Sequence, residues 1–518
     1  MGGQLDTRWV FLGGFVAVLV ILFPFSQALY LPLTDLPNHM ARHAIMAADE
    51  GSALAQYYSS QFVLVPNSAA DILWALFGSA GQEIEFSHRL MAFSAVNLLI
   101  AAMVLARVIH GRWTWWSLAG GLLAFNATFF YGFQNYVVSV PFAIYAFALY
   151  LAIEDRPVWL RALLFALVTP ALFLMHFFAF AVLGVLAFGR EAQRLVEANG
   201  NRMAALGRGS IMGLPFLIPV FWLVASMASG PENPAGSFTE FGTLSDRLNR
   251  FITPLYSWAT DLTTDLNGSG MAILAFLYVI FFTVFIRAPL GLALAPRMRG
   301  PILALLGATL LAPNWLSGVA FIDIRFPFVL IVVFIAATDL LVRSRAQGVA
   351  IMVCILAVLG MRSTQISDWW RIHDAEIRDA IAVMEENLEP GDRVIPVRGQ
   401  GAFADSRFWH VQGYATAVSE AFIPTLFLGV HAVQLRKEWH DHATAAMHAN
   451  PTCALFDRAT PESAHGPTLC HAEPYTQAWS TKFNKVLAME PLAPEITAGE
   501  PVRLIASRGR FELYEVLN

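Results

Sequence analysis

Asp35, His39, Arg42 and His43 lie close together in Thr34-Asp35-Leu36-Pro37-Asn38-His39-Met40-Ala41-Arg42-His43. The stretch follows the long apolar run Trp9 to Leu33 almost without a break. A helix starting near Pro37 brings these side chains toward one face, because residues three and four apart are neighbours. Proline is tolerated in a first turn, and Thr34 or Asp35 can cap it. An acid, a guanidinium and two imidazoles at a membrane mouth can bind a phosphate and move a proton. Asp35 has two readings, helix cap or general base. In an apolar cavity few waters stabilise a carboxylate, so its proton affinity rises.

Four further residues belong to the candidate set. Asn38 sits inside the stretch. His176 falls within an apolar run after Pro170. Ionisable groups at membrane depth are functional candidates by default. Asp323 and Arg325 occupy the short segment Phe321-Ile322-Asp323-Ile324-Arg325-Phe326-Pro327 between apolar runs. Guanidinium grips phosphate with two parallel bonds and stays charged; an ion pair with Asp323, or lipid head groups, is the structural alternative for Arg325. The i, i+4 spacing of His39 and His43 suits two ligands of one metal, with Asp35 as a third. No further ligand cluster stands nearby, so the histidines read as hydrogen-bonding groups and no metal or cofactor is expected.

The elements that must hold these residues are membrane helices. The chain has 518 residues, 57% hydrophobic and 14% charged. An average soluble domain is about one quarter charged. No basic patch interleaved with aromatics suggests nucleic acid. Spans of about 20 apolar residues are expected at 9–32, 88–107, 114–130, 134–153, 160–174, 175–189, 210–229, 269–287, 301–319, 326–342 and 347–363, with the fifth and sixth as a hairpin around Pro170. The run after Met1 to Arg8 lacks a small-residue cleavage site and reads as a retained span.

Arginine placement orients the chain. With the N-terminus in the cytoplasm, 14 arginines fall in cytoplasmic loops and 6 outside, namely Arg42, Arg89, Arg247, Arg250, Arg325 and Arg362. That is the direction of the positive-inside rule. Residues 364–518 then form a polar, extracytoplasmic (periplasmic) domain, separate from the transmembrane unit 1–363. Strand-like runs at 393–397 and 510–516 and an amphipathic helix at Asp374 to Asn387 make it α/β. Cys453 and Cys470 are spaced for a loop-closing disulfide there, or remain two thiols. Outside the membrane also lie a first loop from Leu33 to about Ser87, with Trp74 as an interfacial anchor in the short apolar piece Ile72–Phe77, and a second loop from Gly230 to Gly268. No glycine-rich phosphate loop is present.

The order of features resembles the GT-C superfamily of integral-membrane glycosyltransferases: many spans, an Asp in the first external loop right after span one, and a C-terminal extracytoplasmic domain. The segment Asp35-Leu36-Pro37-Asn38-His39-Met40-Ala41-Arg42 is similar to the acidic first-loop motif of bacterial members, including the protein mannosyltransferase and lipid A aminoarabinose transferase relatives. Arg407-Phe408-Trp409-His410-Val411-Gln412-Gly413-Tyr414 is similar in a general way to their C-terminal domains. The resemblance implies a polyprenyl-phosphate-linked sugar donor and an inverting transfer to a glycan, lipid or protein acceptor. It implies Asp35 as the base for the acceptor hydroxyl and Arg325 as a donor-phosphate ligand. The chain departs from the oligosaccharyltransferase pattern, because Trp369-Trp370 is followed by Arg371 rather than Asp. Two rivals remain open from the residues: a ligase or polymerase using a polyprenyl-diphosphate donor, and a lipid or solute transporter. A transporter would favour paired broken helices, and only one such pair, at 159–188, is visible.

Overall fold

The computed structural model describes residues 5–61, 65–198, 200–229, 239–257, 264–286, 291–316, 319–397, 406–427, 433–443, 474–492 and 494–517. Cys453 and Cys470 lie outside them, as do 230–238 and 258–263 of the second external loop.

Fifteen helices carry the argument. They are α1 (Thr7–Leu22), α2 (Leu36–Ala47), α3 (Ala69–Phe77), α4 (Glu83–His110), α5 (Ala127–Phe130), α6 (Gln134–Ala152), α7 (Val158–Met175), α8 (Phe177–Glu197), α9 (Arg202–Ser229), α10 (Leu244–Asn249), α11 (Asp265–Ile286), α12 (Arg299–Leu311), α13 (Pro327–Ala337), α14 (Arg345–Asn387) and α15 (Gly413–Ser419). Among the described residues seven helices are long and apolar enough to cross a membrane: α1, α4, α6, α7, α9, α11 and α14. The protein is an integral-membrane protein built mainly of helices.

Each expected apolar run contains helix, but not all are simple rods: the 326–342 run ends in a strand at Thr338–Leu341, and the 301–319 run leaves helix at Leu311. Residues 114–130 form a buried 3-10 helix, Trp115–Leu123, followed by the single turn α5. Neighbouring α1, α4, α13 and α14 surround it. The hairpin around Pro170 consists of α7 and α8, with His176 alone between them. Pro170 lies inside α7, and the chain breaks instead at His176, whose backbone is extended. The expected boundary at 363/364 falls inside α14, a single 43-residue helix. At 1.5 Å per residue it is about 65 Å long, enough to cross the bilayer and stand well clear of it. The amphipathic helix expected at 374–387 is its C-terminal end.

The strands are short: β1 (Tyr58–Ser60), β2 (Thr239–Glu240), β3 (Gly291–Leu294), β4 (Trp315–Leu316), β5 (Thr338–Leu341), β6 (Val394–Val397), β7 (Val433–Leu435), β8 (Lys485–Ala488), β9 (Val502–Arg508) and β10 (Phe511–Val516). The C-terminal region contains a four-stranded sheet in the order β6-β8-β10-β9. β6 runs parallel to β8, and the other pairs are antiparallel. This is the small α/β unit expected from the two strand-like runs. β9 and β10 pack against α14.

One apolar core runs from the bundle into that region. Polar contacts also stitch the C-terminal part to the segment between α2 and α3. β1 pairs with β7, Glu420 accepts from Ser52 Oγ (2.7 Å) and the Ala53 N–H (3.0 Å), and Tyr58 donates to the Ile423 carbonyl (3.1 Å). Asp374, on the outer part of α14, accepts the backbone N–H groups of Leu29 (2.9 Å) and Tyr30 (2.7 Å). It thereby fixes the chain a few residues before Asp35.

Candidate active site

Asp35 ends the segment that α1 delivers and opens α2, with Pro37 in the first turn. Its side chain makes no capping hydrogen bond to α2. The capping reading is therefore corrected: the carboxylate is turned elsewhere. Its backbone is pinned instead. The Asp35 N–H donates to the Tyr131 carbonyl at 2.9 Å. Next along, Gly132 has φ +73°, and a Cβ there would stand 3.0 Å from Leu36 N and 3.1 Å from Asp35 N. Only glycine meets both the left-handed backbone and the close approach.

Two cationic or potentially cationic groups face the carboxylate. His410 Nε2 lies 3.6 Å from Asp35 Oδ1. Arg325 is close enough to act on Asp35 electrostatically. Burial raises the Asp35 pKa to about 7, with the Arg325 charge opposing the rise. A carboxylate titrating near neutrality is tuned for a general base.

Arg325 sits in a cage of rings. Its Cζ is 4.6 Å from the centre of Phe133, 4.7 Å from Phe178 and 5.4 Å from Tyr136. Tyr136 Oη donates to the Arg325 carbonyl (2.5 Å), and Arg325 Nε donates to the Phe321 carbonyl (3.2 Å). Burial lowers its pKa to about 10, so it stays charged near neutral pH. The Asp323–Arg325 ion pair, the structural alternative for Arg325, is not formed among the described residues. Asp323 faces Arg250 instead (3.8 Å), and Arg250 also donates to the Thr309 carbonyl and to Asn314 Oδ1, both at 2.7 Å. Phe321, at φ +56°, occupies a backbone region costly for an aromatic residue. Its ring packs on Tyr131 at 4.8 Å.

His176 adds a donor. Its Nδ1 accepts the Phe178 N–H at 3.0 Å and so caps α8. In the neutral ring the proton then belongs on Nε2. Nε2 is 3.4 Å from Arg325 Nη1. Two N–H donors thus converge with no acceptor between them, which suits an anion.

The remaining candidates divide. His39 lies in electrostatic range of His176, and its ring is edge-on to Phe427 at 5.6 Å. Asn38 is fully buried, with neither side-chain polar atom hydrogen-bonded among the described residues. Arg42 and His43 turn away. Arg42 forms a buried ion pair with Asp71 of α3. His43 stacks on Trp74 (5.0 Å, 15° between planes), and burial pushes its pKa down to about 3. An apolar helix, α3, covers that flank of α2, pairing Arg42 with Asp71 and stacking Trp74 on His43. Trp74 is likewise buried under α2 rather than anchored in the interface, and Leu76 and Phe77 are the exposed apolar residues of α3. The pairing of His39 and His43 on one metal is not formed, since they face different partners. No group of three His, Cys, Asp or Glu suited to a metal occurs among the described residues.

No local motif in the sequence links His410 to Asp35, and the docking of α15 on α2 brings the two together. Arg250 was noted merely as a loop charge, and Tyr131 carried no polar signal inside an apolar run.

The bundle, the outer loops and the α/β unit together give the fold expected from the GT-C resemblance. Two solved structures of similar fold are ArnT from Cupriavidus metallidurans in the apo state (12% identity, TM-score 0.50, 98% of each chain covered) and bound to undecaprenyl phosphate (13%, 0.51, 99% of this chain and 98% of that one). The arabinofuranosyltransferase AftD from Mycobacteria aligns at 14% identity and TM-score 0.48, over 100% of this chain and 40% of its own. No family model and no curated relative matches the chain.

Proposed function

We propose that this chain is a glycosyltransferase that moves a sugar from a polyprenyl-phosphate carrier to an extracytoplasmic glycolipid, polysaccharide or protein, with inversion at the anomeric carbon. The observation that carries the reading is the convergence of an uncapped Asp35 carboxylate with the Arg325 and His176 donors. One group accepts a proton, and the other two need an anion. The fold shared with ArnT, which binds undecaprenyl phosphate, supports a lipid-phosphate donor.

In this reading Asp35 removes the proton from the acceptor hydroxyl as its oxygen attacks the sugar's anomeric carbon. The bond from that carbon to the phosphate oxygen breaks, and the lipid phosphate leaves with the electron pair. Arg325 and His176 take up the charge that grows on it. Asn38 and His39, next to Asp35 on α2, orient acceptor or donor hydroxyls. Asp323 holds Arg250 and shapes the loop that carries Arg325. The mechanism needs no metal, so chelation with EDTA should leave the rate unchanged.

The test is transfer by the purified protein in lipid nanodiscs, with a polyprenyl-phosphate sugar and candidate acceptors. Transfer should occur in the wild type and fall by about 10²–10⁴ in Asp35→Asn, the typical contribution of a general base. Full activity of Asp35→Asn would sink the catalytic assignment. Transfer only from a diphosphate-linked donor would favour the ligase or polymerase reading.

A further inference from the structure

The C-terminal region does more than cover the bundle. His410 lies between a 3-10 turn, Ser406–Phe408, and α15. α15 docks directly on α2. At the contact, a Cβ on Gly413 would stand 2.7 Å from the Pro37 carbonyl oxygen and 3.1 Å from Asn38 N. The His410 carbonyl accepts the Gly413 N–H at 2.9 Å, which ties the histidine's backbone to that contact. Its ring is held edge-on against Phe427 at 5.3 Å. The side chain of His410 is 4% exposed and that of Asp35 19%. The imidazole is thus almost closed off from solvent, while the carboxylate it faces keeps some exposure.

We propose that His410 takes over the proton that Asp35 accepts, so that a histidine from the C-terminal region completes the site on the membrane bundle. The inference rests on the glycosyl-transfer reading. After the acceptor's proton reaches the Asp35 carboxylate, it passes from Oδ1 to Nε2, giving imidazolium and a restored carboxylate. The imidazolium then loses the proton to water or to the departed phosphate. The 3.6 Å separation is slightly beyond hydrogen-bond length; such contacts commonly tighten only when substrate is bound. Arg325, Asp323 and Tyr131 also face Asp35 or its immediate surroundings. Arg325 is buried and permanently charged, and Asp323 is tied to Arg250. Tyr131 has its acidity suppressed by burial. Among the groups just named, the imidazole is the one whose ring nitrogen can both take up and release a proton.

Two variants separate relaying from simple holding. His410→Gln keeps an N–H donor but accepts no proton; His410→Ala removes both abilities. Both should lower kcat by about 10- to 100-fold, with the donor KM within about twofold of wild type. Only His410→Ala should also move the acid limb of the kcat–pH profile upward, by about one unit, because the carboxylate loses a donor. Wild-type kcat in His410→Gln would overturn the relay. So would a loss in which donor KM rises while thermal stability falls, because that is the signature of a docking residue. Failure of the underlying reading looks different: Asp35→Asn would then remain active whatever His410 does.

Discussion

At the scale of single residues the site is a matter of unequal desolvation. Burial holds the Asp35 pKa near 7, against about 3.9 for an unperturbed Asp. A general base must be ionised to act. The transfer rate should therefore rise about tenfold per pH unit below 7 and level off above it. A pH profile of kcat/KM checks this, and an acid limb near 4 would contradict it. Stability has the opposite slope. The folded state binds the proton more tightly than the unfolded one, so this contribution is full below about pH 4 and is lost as pH rises through 7. Asp35→Asn escapes that loss and should melt no lower than wild type at pH 8. Arg325 and Arg42 then make a matched pair. Arg325→Lys keeps the charge but loses the planar fork, so the donor KM should rise about tenfold or more with little change in melting. Arg42→Ala instead strands the buried Asp71 and should cost about 3–5 kcal/mol, while folded protein keeps its donor KM. A Tm and a KM measured on each variant tell the two arginines apart.

At the scale of elements, the N-terminal end of α2 is held by two segments of chain that are remote in sequence. Gly132 presses on its N-terminus, and Gly413 presses on its first turn. Gly132→Ala should force the left-handed backbone to strain by about 1–2 kcal/mol and push the Asp35 amide outward. Activity should drop further than stability does; an unchanged rate would mean the Asp35 backbone is not positioned by this contact. The helix itself was legible from Pro37 and the spacing of its polar residues. What its faces touch was not. Helical spacing grouped Arg42 and His43 with Asp35, but the deciding element was α3, whose Asp71 and Trp74 sit about thirty residues away. Spacing along one helix cannot report which neighbour covers which flank. In the same way, a run of apolar residues announces membrane depth without announcing rise per residue, so 114–130 read like the other spans although Trp115–Leu123 is a 3-10 helix.

At the scale of the whole molecule, burial changes which arginines count toward the expected orientation. Of the six arginines assigned to the outer side, Arg42, Arg250, Arg325 and Arg362 are buried. Arg42 meets Asp71, Arg250 meets Asp323, and Arg362 donates to the backbone carbonyls of Leu255 and Leu266. These are internal ties rather than loop charges. Arg89 and Arg247 are left as outer charges that are not buried. Most of the arginines assigned to the cytoplasmic side, such as Arg8, Arg107, Arg156, Arg202, Arg208, Arg299, Arg343 and Arg345, are exposed. The bias in exposed charge is therefore steeper than the bias in the sequence, and insertion is governed by charges in short loops beside the spans. The His410–Asp35 contact adds a second constraint, since it requires the C-terminal region on the same side of the membrane as the first loop. A reporter active only in the cytoplasm should be silent when fused after Asn518, and an impermeant amine-reactive reagent should label Lys437 in intact spheroplasts. Cytoplasmic reporter activity after Asn518 would place Asp35 on the cytoplasmic side as well, because the two are in contact, and the acceptor would then have to be a cytoplasmic molecule.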